Sequence, residues 1–590
     1  MSAIEGFDAR RAARADGLLA EFNAAGVLAL ADVHVARRLA ALAGEQDERV
    51  ALAAALAVRG PRLGHVYVDL ATIATTAAVD VDEPVDLTAL PWPDPDGWAE
   101  QVAASPLTGD DRPLRLEGTA LYLDRYWREE RQVAADLLAL RARPPADVDE
   151  GRLAAGLARL FAGGDDARQR LAAETAVRRR FAVVAGGPGT GKTTTVARIL
   201  ALLLEQGGDP LVGLAAPTGK AAARLSEAVR EAAGELDVSA DVRDRLRAMD
   251  AVTLHRLLGT LPGSRSRFRH HRGNRLPHDV VIVDETSMVP LSRMARLVEA
   301  VRSDARLILV GDPGQLASIE AGAVLGDIVG PGGGDDDGIV VLDHVHRYGG
   351  GIAGVAEAIR RGDGDATIDA LGAVTWIPVD AAADPDAAGA VRAGAVACAR
   401  GVLEAARAGD GRRAIDALGS FRLLCAHRRG PYGVSAWTAR IEGWLADALD
   451  GFGAGGEWYV GRPLLVTEND YGLGLFNGDT GAVVAAGDGA VAAAFERRGE
   501  VVELSPSRLA AVDTVYAMTV HKSQGSQFGT AAVLLPDPAS PILTRELLYT
   551  AVTRAREQLI LVGTEEAIRA AVARPVARAS GLRDRLWRAA

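Results

Sequence analysis

From about residue 170 the apolar positions gather into short unbroken runs. Phe181–Ala185, Leu211–Ala216, Val280–Val283 and Leu307–Val310 each end in a turn signal. Helical patterns such as Thr193–Leu204 and Lys220–Ala233 follow. Runs without polar alternation are what strands buried on both faces require, so this rhythm predicts βαβ units on a parallel sheet. Leu423–Ala426, Ala531–Leu535 and Leu559–Val562, the last two flanking a helical Arg545–Arg554, predict a second α/β unit. Between them, over 456–510, Pro463–Thr467, Ala482–Ala486 and Val501–Leu504 are divided by Asn477-Gly478 and Gly-Asp turns, which predicts a small β insertion that could close as a barrel. Residues 1–150 carry amphipathic helical patterns and no strand–turn–helix phosphate motif, predicting a separate, mostly helical module. The Gly/Asp-rich stretch Gly330–Gly338 has loop composition and suggests a boundary near 345. The expected spans are 1–150, 151–345 with a hairpin insertion near 259–277, and 346–590 with the β insertion.

Length agrees with several modules, since 590 residues exceed what one core supports. Cys398 and Cys425 lack the density of a disulfide scaffold and the spacing of a metal site, and read as buried fillers in a reducing compartment. The N-terminal stretch lacks a signal peptide's uncharged core and no run of 18 apolar residues follows, so a soluble cytoplasmic protein with no membrane partner is expected. A net charge of −12 confines any nucleic-acid contact to local tracks. Only three of the 66 basic residues are lysine, namely Lys192, Lys220 and Lys522. Where arginine is the default cation, a lysine marks a place that needs a compact ammonium.

Gly186-Gly187-Pro188-Gly189-Thr190-Gly191-Lys192-Thr193, followed by Thr194, is a G-x-x-x-x-G-K-T loop after a strand-like run and ahead of a helix. Its glycines turn backbone N–H groups onto phosphates, Lys192 reaches the β/γ-phosphates and the Thr193 hydroxyl binds Mg²⁺, making ATP and Mg²⁺ the expected cofactors. The run Val280–Val283 ends in Asp284-Glu285, placing Asp284 for the metal shell and Glu285 to activate water. The next run ends in Gly311-Asp312-Pro313-Gly314-Gln315-Leu316, where the Gln315 amide can sense a γ-phosphate or orient water.

These motifs, with Val283-Asp284-Glu285-Thr286-Ser287-Met288, Pro217-Thr218-Gly219-Lys220, Thr519-Val520-His521-Lys522-Ser523-Gln524-Gly525 and Tyr549-Thr550-Ala551-Val552-Thr553-Arg554-Ala555-Arg556, resemble the ordered set of superfamily 1 helicases, and within it the RecD branch. The resemblance spans about 169–563. It implies two RecA-like P-loop domains, with an SH3-like barrel as the form of the insertion. It further implies that Gln169 reads adenine and that Arg347 and Arg554 reach the γ-phosphate from the second domain. Thr218, Lys220, Thr253, His255, Thr519, His521 and Ser523 match strand-contacting positions, although a loop Ser or Thr often only caps a helix. Arg256 to Arg275 holds six arginines and no acid, interleaved with Phe268, His270 and His271; it reads either as a solvated loop or, by resemblance, as a hairpin at the DNA fork.

The resemblance implies ATP-driven 5′ to 3′ movement on DNA and unwinding from duplex ends, in a heterotrimer with RecB-like and RecC-like subunits; nothing in the spacing itself shows the polarity. Stand-alone relatives and a regulatory ATPase remain alternatives. A nuclease is disfavoured because every lysine already has an assignment, and a relaxase because residues 1–150 hold only His34 and His65 as histidines. Gly64–Leu70 and Leu121–Trp127 resemble the N-terminal region of the subunit form, and Tyr122, Tyr126 and Trp127 beside arginines suggest a docking surface, the alternative being the module's own core.

Overall fold

The computed structural model describes residues 11–587 except 13, 14, 78, 80–85, 145–147, 164–166, 262, 265, 319, 331–333, 345–349, 471, 488 and 498. Arg347, Arg265, the boundary near 345 and part of the Gly330–Gly338 loop therefore lie outside the described residues.

The first α/β unit is a six-stranded parallel sheet in the order Val252–Thr253, Val212–Ala216, Val280–Val283, Arg306–Gly311, Phe181–Gly186, Ile339–Leu342. Alternate residues feed two cores. Val281, Val283, Leu307 and Leu309 face one, while Val280, Ile282, Ile308 and Val310 face the other. Burial on both faces is why the runs are apolar throughout. The strand order puts the carboxyl ends of Phe181–Gly186, Arg306–Gly311 and Val280–Val283 side by side, so their motifs share one sheet edge.

The second unit is a five-stranded parallel sheet, Thr375–Ile377, Ala555–Val562, Phe528–Leu534, Phe421–Cys425, Ala517–Thr519. The insertion is a five-stranded antiparallel sheet in the order Glu500–Leu504, Val491–Arg497, Thr480–Ala485, Pro463–Val466, Val512–Thr514. Its two outer strands do not pair with one another among the described residues.

The N-terminal region is helical, with a three-stranded antiparallel sheet added. The two segments that resemble the subunit form are neighbouring strands of that sheet, pairing Tyr67 with Tyr122 and Val68 with Leu121. The helix Asp124–Arg141, expected within the separate module, instead covers the first unit: Val133, Ala134, Leu137 and Leu140 enter its core. Gln132 Nε2 donates to the Ala295 carbonyl at 3.0 Å and Ser292 Oγ to Glu129 at 2.6 Å across this joint.

The aromatic cluster is therefore not a free docking face. Tyr122 is buried and Tyr126 and Trp127 pack against the same core. An amphipathic helix and a row of aromatics must bury their apolar side somewhere, and here the partner is the chain's own motor unit. The C-terminal segment laces the joint. Gly581 N donates to Glu130 at 2.8 Å, Arg585 Nε donates to the same carboxylate at 2.8 Å, and Leu582 and Leu586 fill the core.

Candidate functional site

The phosphate loop leaves its strand at Gly186 and enters the helix Lys192–Glu205. Gly189 and Gly191 hold φ of +82° and +79°, a backbone that other residues adopt only under strain. Lys192 Nζ donates to the Gly186 and Gly187 carbonyls at 2.8 and 2.9 Å, so the ammonium is folded over the cradle it would share with phosphate.

Gln169 is placed behind this loop. Its Nε2 donates to the Thr190 carbonyl at 3.1 Å and its Oε1 accepts from Arg198 at 2.9 Å. Here its amide braces the loop, and reading adenine would require exchanging those partners. Arg198 was not foreseen, since it lies mid-helix with no motif around it.

Asp284 and Glu285 emerge on the neighbouring strand end. Burial, with Glu285 adding, raises the pKa of the Asp284 carboxyl, and Lys192 opposes the shift. Glu285 sits at φ +51°, the left-handed region, a strained conformation of the kind that clusters at functional sites. A buried carboxyl whose charge burial disfavours is one that a divalent cation would stabilise.

Asp312 and Gln315 complete the edge. Asp312 accepts from Gly314 N at 2.9 Å and Gln315 Nε2 at 3.1 Å. The second unit meets the same loop: Leu316 N donates to Thr550 Oγ1 at 2.9 Å and the Leu316 carbonyl accepts from Gln524 at 2.8 Å. The Leu316 side chain enters the second unit's core. Arg554 is 3% exposed and donates to the Thr550 and Ser526 carbonyls at 3.0 and 3.2 Å, which holds it inside the second unit in this conformation.

The strand-contacting candidates split. Thr218 Oγ1 caps the helix Gly219–Glu235 by accepting Ala221 N at 3.2 Å, and Thr253 caps Leu254–Leu258 by accepting Arg256 N at 3.3 Å. Accepting leaves each hydroxyl proton available to a phosphate. Thr519 also accepts, from Lys522 N at 3.2 Å, but is buried. Ser523 is fully buried and spends its proton on the Val520 carbonyl at 2.7 Å. His255 lies against Arg293, and burial with that arginine lowers its pKa. Burial, then Arg578 and Arg428, does the same to His521. Lys220 Nζ donates to the Gly478 carbonyl of the β insertion at 2.9 Å, and burial, with Arg224 adding, pushes its pKa down to about 7. Of the expected hairpin, Phe268 is packed into the first unit's core, so it offers no free stacking face.

Among the described residues no cluster of three His, Cys, Asp or Glu side chains is placed to hold a metal ion, and no helix is long and apolar enough to cross a membrane.

Three family models match: an AAA domain over 169–321, a UvrD-like helicase C-terminal domain over 514–562, and the RecBCD enzyme subunit RecD N-terminal domain over 24–122. The RecBCD enzyme subunit RecD of Mycobacterium tuberculosis (strain ATCC 25618 / H37Rv) is 53% identical over 583 residues, covering 98% of both chains. The ATP-dependent RecD2 DNA helicase of Deinococcus radiodurans is 32% identical over 489 residues, 79% of this chain and 59% of that one. A Pif1 helicase structure from Candida albicans matches with 15% identity and a TM-score of 0.39, covering 68% of this chain and 96% of that one. On near-complete coverage at 53% identity, the chain belongs to the RecD family of RecBCD enzyme subunits.

Proposed function

We propose that this chain is an ATP-driven DNA translocase and helicase, working beside RecB-like and RecC-like subunits in a cytoplasmic heterotrimer that unwinds and degrades duplex ends in double-strand break repair. The carrying observation is the single sheet edge where Lys192, Asp284, Glu285 and Gln315 converge, with the loop of Gln315 gripped by Thr550 and Gln524 of the second unit. Such a cleft ties phosphate chemistry to relative movement of two units, which a static ATP-binding module would not need.

The roles follow from position. Thr193 and Asp284 would hold Mg²⁺, which supplies charge neutralisation at the β/γ-phosphates. Loop residues Gly186 to Thr194 bind the phosphates, with Gln169 behind them. Lys192 releases the Gly186 and Gly187 carbonyls to take a phosphate oxygen, Glu285 accepts the proton of the attacking water, and Gln315 orients that water. Arg554 and Arg347 neutralise transition-state charge on closure. Thr218, Lys220, Thr253, His255 and His521 line the strand path, the first and third through hydroxyl protons left free by capping, while the buried Thr519 and Ser523 shape that path from beneath. Of residues 1–150, the part ahead of the helix Asp124–Arg141 serves subunit docking, 151–345 and 346–590 are the motor domains with that helix and the C-terminal segment packed onto the first, and the β insertion is an SH3-like barrel. Movement runs 5′ to 3′. Strand displacement on 5′-tailed and 3′-tailed duplexes, with the chain alone and with co-purifying subunits, tests this: unwinding from the 5′ tail alone is expected, and unwinding from the 3′ tail alone would reverse the polarity.

A further inference from the structure

Asp312 is the acidic residue of the Gly311–Leu316 loop that the assignments above leave without a role. It is 2% exposed and takes two hydrogen bonds from its own loop, Gly314 N at 2.9 Å and Gln315 Nε2 at 3.1 Å. A further polar group comes from the other α/β unit: the Tyr549 hydroxyl, on the helix Arg545–Val552, faces the same carboxylate and favours its ionised form. Burial disfavours the ionised form of Asp312, with Lys192 opposing, so each donor matters to holding the carboxylate in place.

Tyr549 is 4% exposed and wedged against both loops that border the phosphate site. A Cβ built on Gly187 would lie 2.7 Å from its hydroxyl, and one built on Gly314 would lie 3.5 Å from its Cε1. The phosphate loop can approach the phenol this closely only because glycine stands at 187. The adjacent Thr550, fully buried, accepts Leu316 N, so two consecutive side chains of the second unit hold the two ends of the Asp312–Leu316 stretch.

We propose that Tyr549 is a positioning residue for ATP hydrolysis, its hydroxyl anchoring Asp312 and through it the Gln315 amide against the phosphate loop, and that it transmits movement of that loop to the second α/β unit. The proposal rests on the ATPase reading above. The chain of contact runs Gly187, Tyr549, Asp312, Gln315, with each neighbour within hydrogen-bond or van der Waals reach. A neutral donor suits the place. It fixes a buried carboxylate without adding a cation that would compete with Lys192 for phosphate. If Tyr549 were only a core filler, removing its oxygen while keeping its ring would change nothing in turnover.

Steady-state ATP hydrolysis by the full chain at saturating oligo(dT) provides the test, using the unsubstituted protein, Tyr549→Phe, Asp312→Asn and the double variant. Tyr549→Phe should lose about tenfold or more in kcat, the scale of one hydrogen bond to a charged group. Its KM for ATP should stay within about twofold, because ground-state binding does not use the phenol. The double variant should lose less than the product of the two single losses, since both act through one contact. Unchanged kcat in Tyr549→Phe, or a double variant that loses the full product, would overturn the proposal while leaving the ATPase reading intact. Absence of DNA-stimulated turnover in the unsubstituted chain would overturn both.

Discussion

The cleft between the two α/β units and the joint between the N-terminal region and the first unit are both buried and polar, yet they are built in opposite ways. In the cleft, the groups that matter sit at fixed offsets from strand ends: Lys192 at the mouth of a helix, Asp284 one residue beyond Val283, Asp312 one residue beyond Gly311. At the joint, Glu130 meets Gly581 and Arg585, His65 meets Ala579, and Gln132 meets Ala295. Those pairs are separated by 163 to 514 residues and share no spacing. Phosphate chemistry constrains backbone geometry locally, whereas a joint needs only complementary faces, which many sequences supply.

The comparison predicts that cleft substitutions stop chemistry and spare the fold, while joint substitutions do the reverse. Lys192→Gln should eliminate ATP hydrolysis with a nearly unchanged melting temperature, since the half-buried loop loses two hydrogen bonds from the ammonium to its own carbonyls and no apolar packing. Coupled-enzyme turnover and thermal melts check this, and a destabilised variant would blur the contrast. Arg554→Ala should still bind nucleotide and lose about 10³-fold in turnover, the scale of a transition-state arginine. Nucleotide binding set against single-turnover hydrolysis distinguishes the steps; weakened binding with normal turnover at saturation would give Arg554 a different role.

At the joint, Leu137→Ala should cost about 2–5 kcal/mol of stability, because Leu137 is fully buried in the first unit's core. Denaturant unfolding measures it, and ATP turnover per folded molecule should be unchanged. A chain begun near residue 150 would lose this helix altogether and is expected to misfold instead of yielding a trimmed motor.

The smallest effect is acid sensitivity. His65 accepts Ala579 N at 3.1 Å through Nδ1, and burial, with Arg59 and Arg578 adding, pushes its pKa down to about 4. An unfolded histidine protonates near 6.5, so between these values the unfolded state binds more protons. Stability from this group is therefore fully present above about pH 6.5 and is lost as pH falls toward 4, by at most about 3 kcal/mol. Melts at pH 7 and pH 5 should show a larger drop for the unsubstituted chain than for His65→Gln; equal drops would remove His65 from the account.

The same division explains what was legible. Parallel strands and the phosphate motifs could be read because apolar runs and glycine positions carry their own geometry; Val280–Val283 is the strand expected, residue for residue. The strand-contacting hydroxyls were less legible because capping and phosphate binding ask for the same side chain: Ser523 matches its motif and is nevertheless buried with its proton committed. Phe268 and Tyr122 resembled free aromatics because a sequence shows composition and not which face is covered. Tyr549 and Thr550 stood inside a recognised motif, but their targets, Asp312 and Leu316, lie more than two hundred residues upstream, and nothing local points to them.

The central claim is that the cleft is an engine coupled to a DNA strand, and the most direct measurement is ATP turnover by the full chain with and without single-stranded DNA, beside Lys192→Gln as control. The account predicts turnover that rises on adding the strand and vanishes in the variant. Turnover indifferent to DNA, or surviving intact in Lys192→Gln, would contradict it.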